Sequence, residues 1–302
     1  PLAAAGAQHG VIAVFSALTR PGDHVLTEGV TYPGIQLIAR MLGLRLEGLP
    51  LDDQGLLPDA LETACRRGGA KAIYCVPTLQ NPTTATMSEE RRRQIAGIAR
   101  RHGVPILEDD IFRRVAPAGA PPPLAALAPE LTYYITGLSK TTAPGLRVGF
   151  IAAPEPAIER LAGAIRTTCW IAPPIAVEIA SRWIGDGTAE RILDEHRREA
   201  TWRRQRALEV LGGWDIVCAP GALHMWLRLP EPWRSADFAA DAKRRGVGVT
   251  PAEAFTIGRH APTHAVRACF GSIGSRAALE RSLSILAELL ADRPSQAFGA
   301  IV

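Results

Sequence analysis

Two hydrophobic periodicities take turns through the first 154 residues, and a chain patterned this way has few folds open to it. Apolar residues recurring every three or four positions predict helices over Gln8–Thr19, with Val11, Val14, Phe15 and Leu18 on one face, and over Ile35–Leu42 and Leu57–Arg67. A further helix is expected over Ser88–His102, with Ser88 as its cap and Glu89 and Glu90 at the positive end of its dipole. Short apolar runs between them predict strands over His24–Glu28, Leu44–Leu51, Ala72–Val76, Pro105–Leu107, Thr132–Thr136 and Val148–Ala152. Strands joined by helix-length connections must run parallel, and a parallel sheet needs both faces covered. The expectation is an α/β fold, a mostly parallel sheet with helices on both sides. Such sheets bind ligands beyond the carboxyl ends of their strands, so the polar residues that follow each strand are the candidates for chemistry.

Past residue 173 the pattern changes. Helices are expected over Ile175–Ile184, Ala189–Leu211, Ala236–Arg245 and Arg276–Leu290, with short strands over Ile216–Cys218, His224–Leu229, Val247–Thr250 and Val266–Phe270. This mixture predicts a smaller C-terminal α+β domain, residues 186–302, after a larger domain of residues 1–185. With 47% hydrophobic residues the chain can bury enough apolar surface to fold, which excludes disorder as its main state. The longest apolar stretch, Leu161–Ile179, is interrupted by Arg166, Pro173, Pro174 and Glu178, so no membrane span is expected. A net charge of +4 spread evenly reads as a solvated surface. Five cysteines without CxxC spacing suggest reduced, buried thiols and a cytoplasmic protein, and residues 1–10 lack a secretory pattern. The chain opens without Met inside apparent structure, which suggests that an N-terminal part is missing.

Glycine-rich nucleotide loops are absent. His260 and His264 are four apart, but Pro262 between them argues against a helical metal pair, and no metal site is expected. The most informative segment runs from Tyr133 to Gly149: a strand, hydroxyl residues, Lys140, a Pro144-Gly145 turn and Arg147 before another strand. Only three of the 34 basic residues are lysines, namely Lys71, Lys140 and Lys243. Desolvation and a nearby cation would both disfavour the ammonium form of Lys140, as a Schiff-base lysine requires. Arg147 can grip a phosphate bidentately. On chemistry alone, a solvated surface lysine stays open beside that reading.

This segment resembles the lysine region of fold-type-I pyridoxal-phosphate enzymes, the class I/II aminotransferase superfamily. The resemblance extends over nearly the whole chain and implies that fold, with pyridoxal 5′-phosphate held by Lys140 as a Schiff base. It implies a phosphate cap at Gly6, Ala7 and Gln8 opening a helix, with Ser139 and Arg147 as further phosphate partners. By the same resemblance Tyr32 stacks on the pyridine ring, Asn81 donates to the phenolic oxygen, Asp109 pairs with the pyridinium nitrogen, and Arg267 receives a substrate α-carboxylate next to Asn81. It also implies a homodimer with its active site at the subunit interface and transamination of an amino acid to an oxo acid, with Lys140 and Asp109 as catalytic residues.

A closer resemblance is to the aminotransferase-like domain of MocR-type regulators in the GntR family. It rests on Gly6-Ala7-Gln8-His9, Pro77 to Met87, Glu108 to Ile111, Ser139 to Gly149 and His224 to Pro230. It implies an alternative role, an amino-acid-sensing effector domain without turnover, with DNA contacted only through a winged helix-turn-helix missing from this chain. Two departures stand out. Phe112 occupies a position that is often Tyr in the family. Gly137 occupies one that is often Ser, which leaves Thr136 or Ser139 to replace a phosphate donor.

Overall fold

The computed structural model describes residues 1–258 and 264–292. In chain order the first part runs β1 (Leu2–Ala4), α1 (Ala7–Leu18), β2 (His24–Glu28), α2 (Gly34–Leu42), β3 (Arg45–Leu49), β4 (Leu51–Asp52), β5 (Gly55–Leu56), α3 (Pro58–Arg66), β6 (Ala70–Cys75), α4 (Glu89–His102), β7 (Ile106–Asp109), α5 (Leu124–Leu127), β8 (Thr132–Gly137) and β9 (Gly149–Ala152). Then follow α6 (Ile158–Cys169), α7 (Pro174–Gly185), α8 (Thr188–Leu211), β10 (Ile216–Val217), β11 (His224–Arg228), α9 (Ser235–Arg244), β12 (Thr250–Pro251), β13 (Ala265–Cys269) and α10 (Arg276–Ala291).

Seven strands form one sheet in the order β1-β9-β8-β7-β6-β2-β3. The expected parallel arrangement holds from β8 through β3, while β9 and β1 close one edge antiparallel. Val11, Val14 and Phe15 of α1 pack with Val25, Ala72, Tyr74 and Leu107 on one face; Leu61 of α3 and Ile95 and Ile98 of α4 pack with Leu26, Ile73 and Ile106 on the other. Because adjacent strand residues point to opposite faces, each apolar strand feeds both cores. A four-stranded antiparallel sheet, β10-β11-β13-β12, forms the C-terminal core with α8, α9 and α10, and that core also takes in Leu79, Phe112 and Val115 from the loops after β6 and β7.

Several expectations are corrected. The predicted strand Leu44–Leu51 ends at Leu49, because Pro50 cannot donate to the ladder, and Leu51 begins a separate two-residue pairing. Val247–Thr250 pairs only at Thr250 and Pro251. Helix α6, absent from the sequence reading, buries only Leu161 and Ile165, so its apolar stripe is short. Cys169 and Cys269 are exposed; only Cys65, Cys75 and Cys218 are buried thiols. The histidine pair falls partly outside the described residues, since His260 does; among the described residues no group of three or more side chains is placed to hold a metal, and no helix is long and apolar enough to cross a membrane.

Candidate active site

The carboxyl ends of β2, β6, β7 and β8 converge with the start of α1, as the crossover rule for parallel sheets requires. Gly6 precedes α1 with φ of 89°, a left-handed backbone that favours glycine, and no side chain caps the helix. The first amides of α1 therefore have no intrahelical acceptor. Arg147 leans over this end: a Cβ placed on Gly6 would lie 2.5 Å from its Nη2. Arg147 Nη1 donates to Ser139 Oγ at 3.2 Å. Tyr32 folds back over Gly34, where a Cβ would collide with its ring, and its hydroxyl donates to Gln8 Oε1 at 3.3 Å. Gly6, Ala7, Gln8, Tyr32, Ser139 and Arg147 thus form one cup of amides, hydroxyls and a guanidinium, suited to a phosphate dianion.

Beside the cup, β7 ends in a buried carboxylate. Asp109 Oδ2 accepts a hydrogen bond from Tyr74 Oη at 2.8 Å, while Oδ1 is buried with no partner. Burial pushes the Asp109 carboxyl up to about 6 against the Tyr74 bond, and Asp110 adds to the rise. None of these influences is a cation. A buried, half-bonded carboxylate without a counter-charge fits a protonated ring nitrogen, which would supply both the missing donor and the missing charge.

Arg267, on β13 of the smaller sheet, meets Asn81 from the loop after β6: its Nη1 donates to Asn81 Oδ1 at 2.8 Å. The Arg267 guanidinium lies 4.9 Å from the centre of the Phe255 ring, and its Nε is buried without a partner. Lys140 Nζ lies 5.9 Å from the centre of the Phe112 ring. Lys140 is exposed, so the desolvation expected of it is not supplied by this chain's own side chains. Tyr32 feels Asp109, Arg147 and Arg267 together, although burial is the main reason its phenol is raised. All the residues singled out from the sequence therefore share one region.

Four neighbours were not anticipated as site residues. Tyr74 orients Asp109. His224 of β11 is buried against Phe112, ring centres 5.7 Å apart, and burial followed by Arg267 pushes its imidazole down to about 3. Glu28 ends β2 with no exposed surface, and Gln80 is buried beside Asn81. His224 stands inside a string that carried the regulator resemblance, which was the available signal. The candidate substitutes for a family serine differ in use: Ser139 holds Arg147, whereas Thr136 Oγ1 donates to Asp110 O at 3.3 Å. Gly137 also has a steric reason, since a Cβ there would lie 2.8 Å from Val148 O.

The family model for aminotransferase class I and II matches residues 2–286. The chain is 31% identical over 291 residues to an uncharacterised HTH-type transcriptional regulator of Bacillus subtilis, YdeF, covering 96% of this chain and 63% of that protein. It is 27% identical over 262 residues to aromatic-amino-acid aminotransferase 1 of Thermococcus litoralis, covering 83% of this chain and 63% of that enzyme. The chain thus spans less than two thirds of these relatives. A solved archaeal alanine:glyoxylate aminotransferase superposes with a TM-score of 0.87 at 29% identity, over 96% of this chain and 74% of that one. With a family model that matches residues 2–286 and a shared fold, the chain belongs to the class I and II aminotransferase family.

Proposed function

We propose that this chain binds pyridoxal 5′-phosphate and uses it to transaminate an amino acid, with residues 1–185 as the cofactor-binding domain, residues 186–302 as the smaller domain, and a cytoplasmic homodimer as the working form. The observation that carries the reading is the uncompensated Asp109 carboxylate beside the cup at the start of α1. In this reading Gly6, Ala7, Gln8, Ser139 and Arg147 hold the phosphate, Tyr32 covers the ring and Asp109 takes the ring nitrogen. Asn81 serves the phenolic oxygen, and Phe112 lines the ring's edge. When bound, the cofactor supplies a ring that draws electrons from the carbon bearing the substrate's amino group. Arg267 and Asn81 orient the α-carboxylate, fixing which bond faces Lys140. Once its own amine is free, Lys140 Nζ would take the α-proton from the substrate and deliver it to the carbon that receives the amino group, as amino-group transfer requires.

A second reading has its own support. YdeF, YisV and YdfD of Bacillus subtilis all carry the description HTH-type transcriptional regulator, and this chain covers 63%, 53% and 49% of them. In that reading the same residues bind cofactor and amino acid as an effector, without turnover, in a longer DNA-binding protein.

Borohydride reduction of the cofactor-loaded chain followed by peptide mapping tests the shared core of both readings. The adduct is expected on Lys140; an adduct on Lys71 or Lys243 overturns it. Oxo-acid release from loaded protein then separates enzyme from sensor.

A further inference from the structure

Glu28 belongs to no group that touches the proposed ligands, yet contacts from both sides of the site lead to it. It has no exposed surface at the carboxyl end of β2. Its Oε2 accepts from Thr31 Oγ1 at 2.6 Å, and its Oε1 accepts from the Val76 amide at 2.9 Å. Burial pushes its carboxyl up to about 7, opposed by hydrogen bonds from Thr31, Val76 and Gln80.

From Thr31 the path runs to the substrate end. The Thr31 amide donates to Phe255 O at 3.0 Å, Val30 pairs with Thr256, and the Phe255 ring supports the Arg267 guanidinium. From Gln80 a second path reaches the same arginine. Gln80 Nε2 donates to Val30 O at 2.7 Å, its Oε1 accepts from Thr83 N at 3.0 Å, and its neighbour Asn81 accepts from Arg267. Tyr32, the ring-covering residue, follows Thr31 directly.

We infer that Glu28 is a positioning residue that ties the Thr31–Tyr32 segment and the Gln80–Asn81 turn to one frame, so that Arg267 is presented to a ligand carboxylate and Tyr32 to the cofactor together. The inference rests on the proposed function. It goes further in assigning the alignment of the two ends to one buried carboxylate on the opposite side of Tyr32 from Lys140's loop in sequence.

The test uses wild type, Glu28→Ala, Glu28→Gln and Thr31→Val. Two quantities are read: the Kd of pyridoxal 5′-phosphate by absorbance titration, and the affinity ratio of an amino acid to the amine lacking its carboxylate. Glu28→Ala is expected to weaken the cofactor and lower the ratio by about tenfold each. Glu28→Gln keeps the shape, accepts from Val76 and can donate to Thr31, so it is expected to restore both to within about threefold. A purely structural role would lower Tm and leave the ratio unchanged. A folded Glu28→Ala with an unchanged ratio overturns the inference, as does Glu28→Gln failing as badly as Glu28→Ala. If Glu28→Ala does not fold, Thr31→Val decides: a lowered ratio supports the inference and an unchanged one overturns it. Failure of wild type to attach the cofactor at Lys140 would instead overturn the function reading itself.

Discussion

The end of β7 and the residue after it carry three consecutive acids, Glu108, Asp109 and Asp110, pointing alternately to opposite faces in different electrical settings. On one face Glu108 accepts from the Leu124 and Ala125 amides at 2.8 and 2.9 Å and lies 3.7 Å from Arg92 Nη1; Asp110, both of whose oxygens are buried without a hydrogen-bond partner, lies 3.9 Å from Arg113 Nη1. On the other face Asp109 has Tyr74 on one oxygen and nothing on the second. Burial is common to all three and raises all three carboxyls. The difference is compensation: arginines face Glu108 and Asp110, and none faces Asp109. Burial therefore does not separate Asp109 from its two neighbours; the missing counter-charge does.

The largest expected effect lies on the compensated face. Arg92 has no exposed surface and donates to Met87 O, Pro77 O and Thr78 Oγ1 at 3.1, 2.9 and 3.0 Å. Arg92→Met removes the cation but leaves both acids buried. It should destabilise the chain by about 3–5 kcal/mol, as breaking one side of a buried pair does. Chemical denaturation checks this, and a loss below about 1 kcal/mol would mean that Arg92 does not compensate these acids.

On the other face the sign reverses. Asp109→Asn keeps an acceptor for Tyr74 and removes a charge that has no partner. The cofactor-free variant should melt higher than wild type at pH 8, while cofactor affinity falls about 10- to 150-fold for loss of a charge-assisted bond. Differential scanning calorimetry and absorbance titration give the two halves. A variant that melts lower and binds as wild type would erase the contrast between the faces.

Arg267→Ala probes the same principle with the charges exchanged, since here a cation awaits an anion. Amino-acid binding should weaken about 10- to 150-fold, with little change for amines lacking a carboxylate. Equal losses for both ligand classes would make Arg267 a structural residue.

Stability should also depend on pH through the raised acids. Glu28 binds its proton at about 7 in the folded chain against an ordinary 4.5, and Glu108 is raised in the same direction by burial and by Asp110. Between those limits the folded chain holds more protons than the unfolded one, so stability falls as pH rises. His224 acts oppositely: lowered from 6.5 to about 3, it contributes stability above 6.5 that is lost on acidification. From pH 6.5 to 8 the two acids lose protons in the folded chain while His224 only finishes deprotonating in the unfolded one, a smaller opposing effect, so Tm should drop by a few degrees, about 2–4 °C per kcal/mol. A flat or rising Tm over that interval would show that Glu28 and Glu108 are already ionised at pH 6.5.

Local pattern singled out the Lys140 segment after its strand, while Asp109, Asn81 and Ser139 were reached through the family resemblance, since a polar residue near a strand end is on its own an ordinary turn or cap. Sequence reading missed Tyr74, Glu28 and His224, whose roles depend on partners 35, 48 and 144 residues away. Tyr74, inside an apolar strand, and Glu28, at the end of another, read as ordinary sheet residues until the strand order places β6 between β2 and β7. The exposed Lys140 and Cys269 show the converse limit, since apolar or small neighbours in sequence do not settle what covers a residue in space. The regular elements were legible where an amphipathic stripe was long, and failed where α6 buried two residues and Pro50 cut a strand.

The smallest expected effect concerns Phe112, three residues beyond Asp109. It is 6% exposed, its ring tilted against that of the uncharged His224 and close to Lys140 Nζ. Phenylalanine contributes shape here and no hydrogen bond. A tyrosine hydroxyl, common in the family at this place, would donate toward the edge of the cofactor ring and draw negative charge from its phenolic oxygen. The nitrogen of Lys140, once attached to the cofactor, would then hold its proton less tightly. Phe112→Tyr should therefore lower the pH midpoint of the bound cofactor's absorbance change by about one unit, which corresponds to about 1.4 kcal/mol, the size of one hydrogen bond to a charged oxygen. The change adds one oxygen at an already buried ring, so the variant should fold with little loss of Tm. Spectrophotometric titration of both proteins measures the shift. A midpoint that stays put or moves up would mean that residue 112 faces His224 and the C-terminal core alone. The ligand edge of β7 would then end at Asp109 itself, leaving the turn after it on the structural side of the contrast.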